Sequence, residues 1–180
     1  ITKKLLNAYE NLNVPIKDKK VFLLDKSLEN FYYIDLILKI FPNAKFIHTY
    51  RNLEDNIIAI YKEFLSQISW SHSLKNIILY IDNYLKTIEK QKKYNKNSIL
   101  SISLEELTDD PKKISKKIYQ FCNIDWDEKC LNFHNKKNLF SKTASNNQIR
   151  SAILAYNKKK YEPYHFLIED YKKSFSWLKS

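Results

Sequence analysis

Three short apolar stretches, separated by segments with helical periodicity, predict an α/β fold: a parallel sheet flanked by helices. The stretches run from Val21 to Asp25, Lys45 to Tyr50 and Ile99 to Leu104. Strands divided by helices need crossover connections, and crossovers set neighbouring strands parallel. The length of 180 residues fits one domain with an adequate core.

Each element has a local reason. Leu5, Leu6, Tyr9 and Leu12 share one face of a helix over residues 1–13. Val21-Phe22-Leu23-Leu24 is a continuous apolar run, the pattern of a strand buried on both faces. Ser27 can cap a helix to Phe41, with Phe31, Ile34, Leu38 and Phe41 at helical spacing and Pro42-Asn43 as its stop. Lys45 to Tyr50 forms the second strand. Asn52 caps the next helix, whose buried stripe is Leu53, Ile57, Ile60 and Phe64.

A long helix over residues 73–93 follows on Leu74, Ile77, Ile78, Ile81, Leu85 and Ile88. From Ile99 to Leu104 apolar residues alternate with Ser101 and Ser103, which is a strand. Asp110-Pro111 opens a helix to Cys122, and Asn123 takes the place of a terminal glycine. Asp125 and Glu128 have capping-box spacing for a short helix through His134. The tail from Pro163 to Leu178 is expected to be helical.

The composition narrows the function classes. The formal net charge is +11, from 31 Lys and Arg against 20 Asp and Glu. The lysines are scattered through the chain and do not interleave with aromatics on a defined strand, so nucleic acid is not expected as a partner. No apolar run approaches the roughly 20 residues of a membrane span. Residues 1–13 lack a signal-peptide pattern, which points to the cytoplasm. Cys122 and Cys130 are too few for a disulfide framework. Cys130 and His134 have helical i, i+4 spacing but no matching second pair, so no metal site is expected. The chain starts at Ile1 and contains no methionine, as a part of a longer protein would.

Only two of the basic residues are arginine, Arg51 and Arg150. In a lysine-rich chain, arginine marks a need for its planar bidentate fork. Lys26 and Arg51 both follow apolar runs, at the carboxyl ends of expected strands, where ligands of parallel sheets gather beside helix N-termini. Two such cations would serve a phosphate or sulfate group.

With these residues placed, the chain resembles the C-terminal part of the sulfotransferases that use 3′-phosphoadenosine-5′-phosphosulfate (PAPS). The likeness is to the bacterial type often fused to tetratricopeptide repeats, with tyrosylprotein sulfotransferases as relatives. It rests on Asp25-Lys26-Ser27-Leu28-Glu29-Asn30-Phe31 and on Phe41-Pro42-Asn43-Ala44-Lys45-Phe46-Ile47-His48 leading to Arg51. Leu104-Glu105-Glu106-Leu107 with Pro111, Phe121-Cys122 with Trp126, and Thr143-Ala144-Ser145 with Gln148 complete it, in order, over residues 20–153.

The resemblance implies a partial domain of a P-loop-type parallel sheet, a single domain over residues 1–180. It implies transfer of a sulfuryl group from PAPS to a hydroxyl or amine of a small molecule or protein, without a metal, and repeats upstream in the complete protein. Lys26 and Ser145 would act at the transferring group, and Arg51, Gln148 and Arg150 would bind the nucleotide, Arg51 at its 3′-phosphate.

Several positions depart from the family pattern. Ala59 replaces a usual serine ligand of the 3′-phosphate, and Leu104 replaces a common tyrosine. A Gly- and Trp-containing segment shortens to Asn157-Lys158-Lys159-Lys160, read as solvated surface. The glycine loop that wraps the 5′-phosphosulfate is missing, since the chain has no glycine, and so is the general base. The chain alone is therefore expected to be inactive. The alternatives are a non-catalytic relative that binds nucleotide or protein, and a basic polyanion-binding protein.

Overall fold

The structure is a computed structural model that describes residues 22–136 and 150–179. It divides into two compact units, residues 1–44 and 45–180.

In the first unit, residues 22–27 carry no regular structure. Leu24 is 92% exposed, and Phe22 and Leu23 are also exposed. The strand expected from Val21 to Asp25 is absent over these described residues. An apolar run becomes a buried strand only when neighbours pair with its backbone, and Lys26 and Ser27 are exposed as well. The Ser27 hydroxyl accepts from the Glu29 N–H at 3.3 Å, a local turn rather than a helix cap. A 3-10 turn at Asn30–Tyr32 precedes the helix proper, α1, Ile34–Ile40. Phe31 and Ile34 are buried, as the spacing requires.

The second unit holds the sheet. Strand β1 is Phe46–Tyr50 and β2 is Ile99–Ser103, paired in parallel with Phe46 opposite Ile99 and Tyr50 opposite Ser103. Among the described residues these two strands make up the sheet, so the mixed α/β fold with a parallel sheet flanked by helices is present in small form. Between them lie α2, Leu53–Glu63, and α3, Leu74–Tyr94. This α-helical crossover is what parallel pairing demands.

Helix α2 begins where the Asn52 side chain accepts the Asp55 N–H at 2.9 Å. Its buried residues include Ile57, Ile58 and Ala59, while Leu53 and Ile60 pack at the core margin. Phe64 is not part of the stripe: it lies past the helix end at φ 43°, ψ 62° and is 64% exposed. Helix α3 contributes Ile77, Ile78 and Ile81 to the same core. Ala59, at the position where the family pattern has a serine, is buried in this core.

Strand β2 runs directly into α4, Leu104–Asp109, where the Ser103 hydroxyl accepts the Glu106 N–H at 3.4 Å. Asp110 caps α5, Pro111–Phe121, through the Lys113 N–H at 2.9 Å, with proline in the first turn. Asn123 adopts φ 55°, the left-handed conformation expected of a glycine substitute. The next helix is a 3-10 helix, Glu128–Asn135, and its cap is Asp127, which accepts the Lys129 N–H at 2.8 Å; Asp125 is not the cap.

The tail is helical only in pieces. A 3-10 segment at Glu162–Ile168, the short α6 at Glu169–Lys172 and a turn at Ser176–Leu178 follow one another. Tyr161, Ile168 and Leu178 are buried against α2 and α3 core residues. Tertiary packing, rather than helix propensity, shapes this segment. Among the described residues no helix is long and apolar enough to cross a membrane.

Candidate functional site

The carboxyl ends of β1 and β2 lie side by side, because Tyr50 pairs in register with Ser103. Arg51 leaves β1 there, one residue before the cap of α2. A cavity of about 350 Å³ opens at this point, lined by Tyr50, Arg51, Glu54, Glu105, Trp177 and Leu178 among others. Strand ends, a helix N-terminus and the folded-back tail therefore share one site.

Arg51 is half-buried, and its Nε–H donates to Asn56 Oδ1 at 3.1 Å. Asn56 lies in the first turns of α2, so the helix sets the tilt of the guanidinium. The two Nη groups make no hydrogen bond within the described residues, leaving the outer edge of the fork available. The guanidinium carbon lies 5.9 Å from the ring centre of Tyr161, and Lys160 Nζ lies 5.1 Å from the same ring. An aromatic ring placed so holds the cations by its π-face.

Glu105, in the first turn of α4, ties the two strand ends together. One carboxylate oxygen accepts the Asn52 N–H at 2.9 Å and the other accepts the Ser103 hydroxyl at 2.6 Å. Burial pushes its pKa up, but those two hydrogen bonds, its own N–H and the Arg51 charge outweigh this and hold it below the usual carboxylate value. Glu105 thus stays ionised.

Behind the cavity is a charged network. Asp55, only 2% exposed, accepts the Tyr156 hydroxyl at 2.5 Å and pairs with His165 Nε2 at 2.8 Å. Glu54 pairs with His165 Nδ1 at 3.1 Å and with Lys172 at 2.6 Å. Burial and the Asp55 hydrogen bond and charge push the Tyr156 phenol far above its ordinary value, with Arg51 acting in the opposite sense. The network fastens the tail to the first turn of α2.

None of these groups is a free base. Both nitrogens of His165 face carboxylates. His48 on β1 contacts Ser101 Oγ at 3.1 Å through Nδ1 and the Tyr84 hydroxyl through Nε2. Burial, helped by Lys92 and opposed by Glu89, lowers the His48 pKa to about 4, so it is neutral near pH 7. The described residues contain no group of three His, Cys, Asp or Glu side chains suited to a metal ion.

A family model described as "Sulfotransferase family" matches residues 2–128. The chain belongs to the sulfotransferase family. An uncharacterized protein of Aquifex aeolicus (strain VF5) is 28% identical over 146 residues, which cover 79% of this chain and 19% of that relative. This sulfotransferase-family chain thus spans about a fifth of that relative's length. The family match ends before Tyr156, His165, Lys172 and Trp177, so part of the cavity wall and its support lie outside the matched stretch.

The expected site residues of this sulfotransferase-family chain are distributed unevenly. Arg51 lines the cavity. Lys26 is exposed, belongs to the first unit and makes no hydrogen bond or ion pair within the described residues. Arg150 is exposed and does not line the cavity. Ser145 and Gln148 lie outside the described residues. Sequence reasoning missed Asn56, Tyr161 and Trp177, and it quoted Glu105 only as part of a motif. A carboxylate two residues beyond a strand end, facing an arginine at the neighbouring end, was the one available signal.

Proposed function

We propose that this chain is part of a sulfotransferase that moves a sulfuryl group from PAPS to a hydroxyl or amine acceptor, with Arg51 holding the 3′-phosphate. The observation that carries the reading is the outward edge of Arg51: Nε is fixed by Asn56 while neither Nη group makes a hydrogen bond among the described residues, at a cavity and a helix N-terminus. A planar pair of N–H donors in that state suits two oxygens of one phosphate. Family membership supports sulfuryl transfer in general.

In this reading residues 1–180 form one partial domain, with Lys26 and Ser145 serving the transferring group and Gln148 and Arg150 the nucleotide. Sulfuryl transfer, like phosphoryl transfer, depends on positioning and on preorganised cations and donors, which these residue types supply. The chain has no glycine for a close backbone loop around the 5′-phosphosulfate. Turnover is therefore assigned to the longer protein, bacterial, cytoplasmic and bearing upstream tetratricopeptide repeats.

A second reading, a nucleotide-binding relative without catalysis, is favoured by the full occupation of His48 and His165. Calorimetric titration with 3′,5′-adenosine bisphosphate tests the first claim. Arg51→Ala should weaken binding about 10–100-fold, as expected for the net loss of one charge-assisted hydrogen bond of about 1.5–3 kcal/mol. Lys158→Ala, an exposed and screened charge, should change it less than about threefold. Equal losses, or no binding by the parent, overturn the nucleotide site. A desulfation assay on the longer protein then separates catalyst from binder.

A further inference from the structure

A carboxylate beside an anion site is a contradiction that needs a reason. Glu105 lines the same cavity as Arg51, is held in its charged form, and would repel any phosphate drawn to the guanidinium. We propose that Glu105 is a positioning residue: it fixes the direction in which Arg51 leaves the backbone, which raises anion affinity by more than its own charge lowers it. This rests on the reading of Arg51 as the phosphate fork.

The geometry is specific. The Asn52 N–H belongs to the peptide that joins Arg51 to Asn52, and Glu105 Oε1 accepts it at 2.9 Å. Locking that peptide restrains ψ of Arg51, the torsion about the Cα–C bond that leaves the same carbon as the side chain. Glu105 Oε2 is in turn anchored on Ser103, at 2.6 Å, and Ser103 pairs with Tyr50, the residue before Arg51. The arginine is thus fixed from behind through the sheet and, at its other end, by the Asn56 contact at 3.1 Å. Asn52's own side chain is committed to Asp55. Among the described residues no other side chain accepts the Asn52 N–H. A fork held at both ends loses little freedom on meeting its ligand.

Substitutions separate the two effects because they carry opposite signs. Glu105→Gln keeps an oxygen for the Asn52 N–H and an amide for Ser103, and it removes the charge. It should bind 3′,5′-adenosine bisphosphate several-fold more tightly, with the gain shrinking as salt rises. Glu105→Ala removes charge and anchor together and should bind about tenfold more weakly. Glu105→Asp, which keeps the charge but falls short of the turn, should also weaken binding and covers the case in which the alanine variant does not fold. In an Arg51→Ala background neither loss should appear, since both act through the arginine. Equal tightening by all neutral variants, or losses that persist without Arg51, would overturn the positioning role. Arg51→Ala binding as well as the parent would instead sink the phosphate-fork reading, and this inference with it.

Discussion

At its amino end α2 is tied down by side chains from several parts of the chain. At its carboxyl end it stops on one residue in an unfavourable conformation. Asn52 caps the first turn, Glu105 takes the Asn52 N–H, and Asp55 receives Tyr156 and His165 from the tail. At the far end, Phe64 turns the chain at φ 43° with its ring exposed and stacked on His72 at 4.5 Å. The difference shows where this fold invests its order. The end that carries Arg51 is over-determined, as preorganised binding demands, and the far end only has to stop the helix.

The sharpest way to break this contrast is at Asp55. Replacing it by alanine removes the buried carboxylate that the Tyr156 hydroxyl and His165 Nε2 share, while Glu54 still faces His165 Nδ1. The expected loss is about 1–3 kcal/mol for each hydrogen-bonding group left unsatisfied. Urea unfolding measures it, and a loss below about 1 kcal/mol would show that the network is ornamental. Asn52→Ala should cost less, about 1 kcal/mol, since one cap is removed while Glu105 still holds the adjacent N–H. Both effects should lower the urea midpoint without changing the slope.

A smaller effect comes from acid. Glu105 has a folded-state pKa below its ordinary value of 4.5. Its contribution to stability is therefore complete above pH 4.5 and is lost as pH falls through the lowered folded value. Glu105→Gln should flatten the unfolding midpoint against pH below about 4.5 and leave the region above unaffected in slope. His48 acts higher: lowered from 6.5 to about 4, it removes stability as pH drops across that window. The ring resonances of His48 should accordingly show no titration between pH 6 and 8.

Much of the scaffold follows from local pattern. Asn52 as cap, the Ile77-Ile78-Ile81 stripe, Asp110-Pro111 as a helix start and left-handed Asn123 all depend on residues within a turn or two of each other. Where the outcome depends on distant partners, local pattern misleads. The run Phe22-Leu23-Leu24 has strand composition but no paired neighbour among the described residues. Phe64 falls on the helical stripe, yet the helix has already ended. The tail is packed into the core through Tyr161, Ile168 and Leu178, and no periodicity announces that. The site divides the same way. Arg51 stands out by residue type alone, whereas Glu105 meets Asn52 across 53 positions and Tyr156 meets Asp55 across 101.

The smallest prediction concerns the loose end, and its sign is informative. In a helix interior alanine is more stable than glycine by about 1 kcal/mol, because glycine loses more backbone freedom on folding. At Phe64 that order should reverse. A side chain with a Cβ at φ 43° costs roughly 1–2 kcal/mol against the following carbonyl, a cost glycine escapes. Alanine keeps the penalty and also gives up the ring's contact with His72, so Phe64→Ala should lose about 0.5–1.5 kcal/mol. Phe64→Gly gives up the same contact and adds unfolded-state entropy, but it recovers the steric cost, leaving it within about 0.5 kcal/mol of the parent. Neither substitution touches Arg51, so 3′,5′-adenosine bisphosphate binding should be unchanged in both. Urea midpoints that place the alanine variant above the glycine one would show that Phe64 is not held left-handed in solution. The contrast between the two ends of α2 would then rest on the amino end alone.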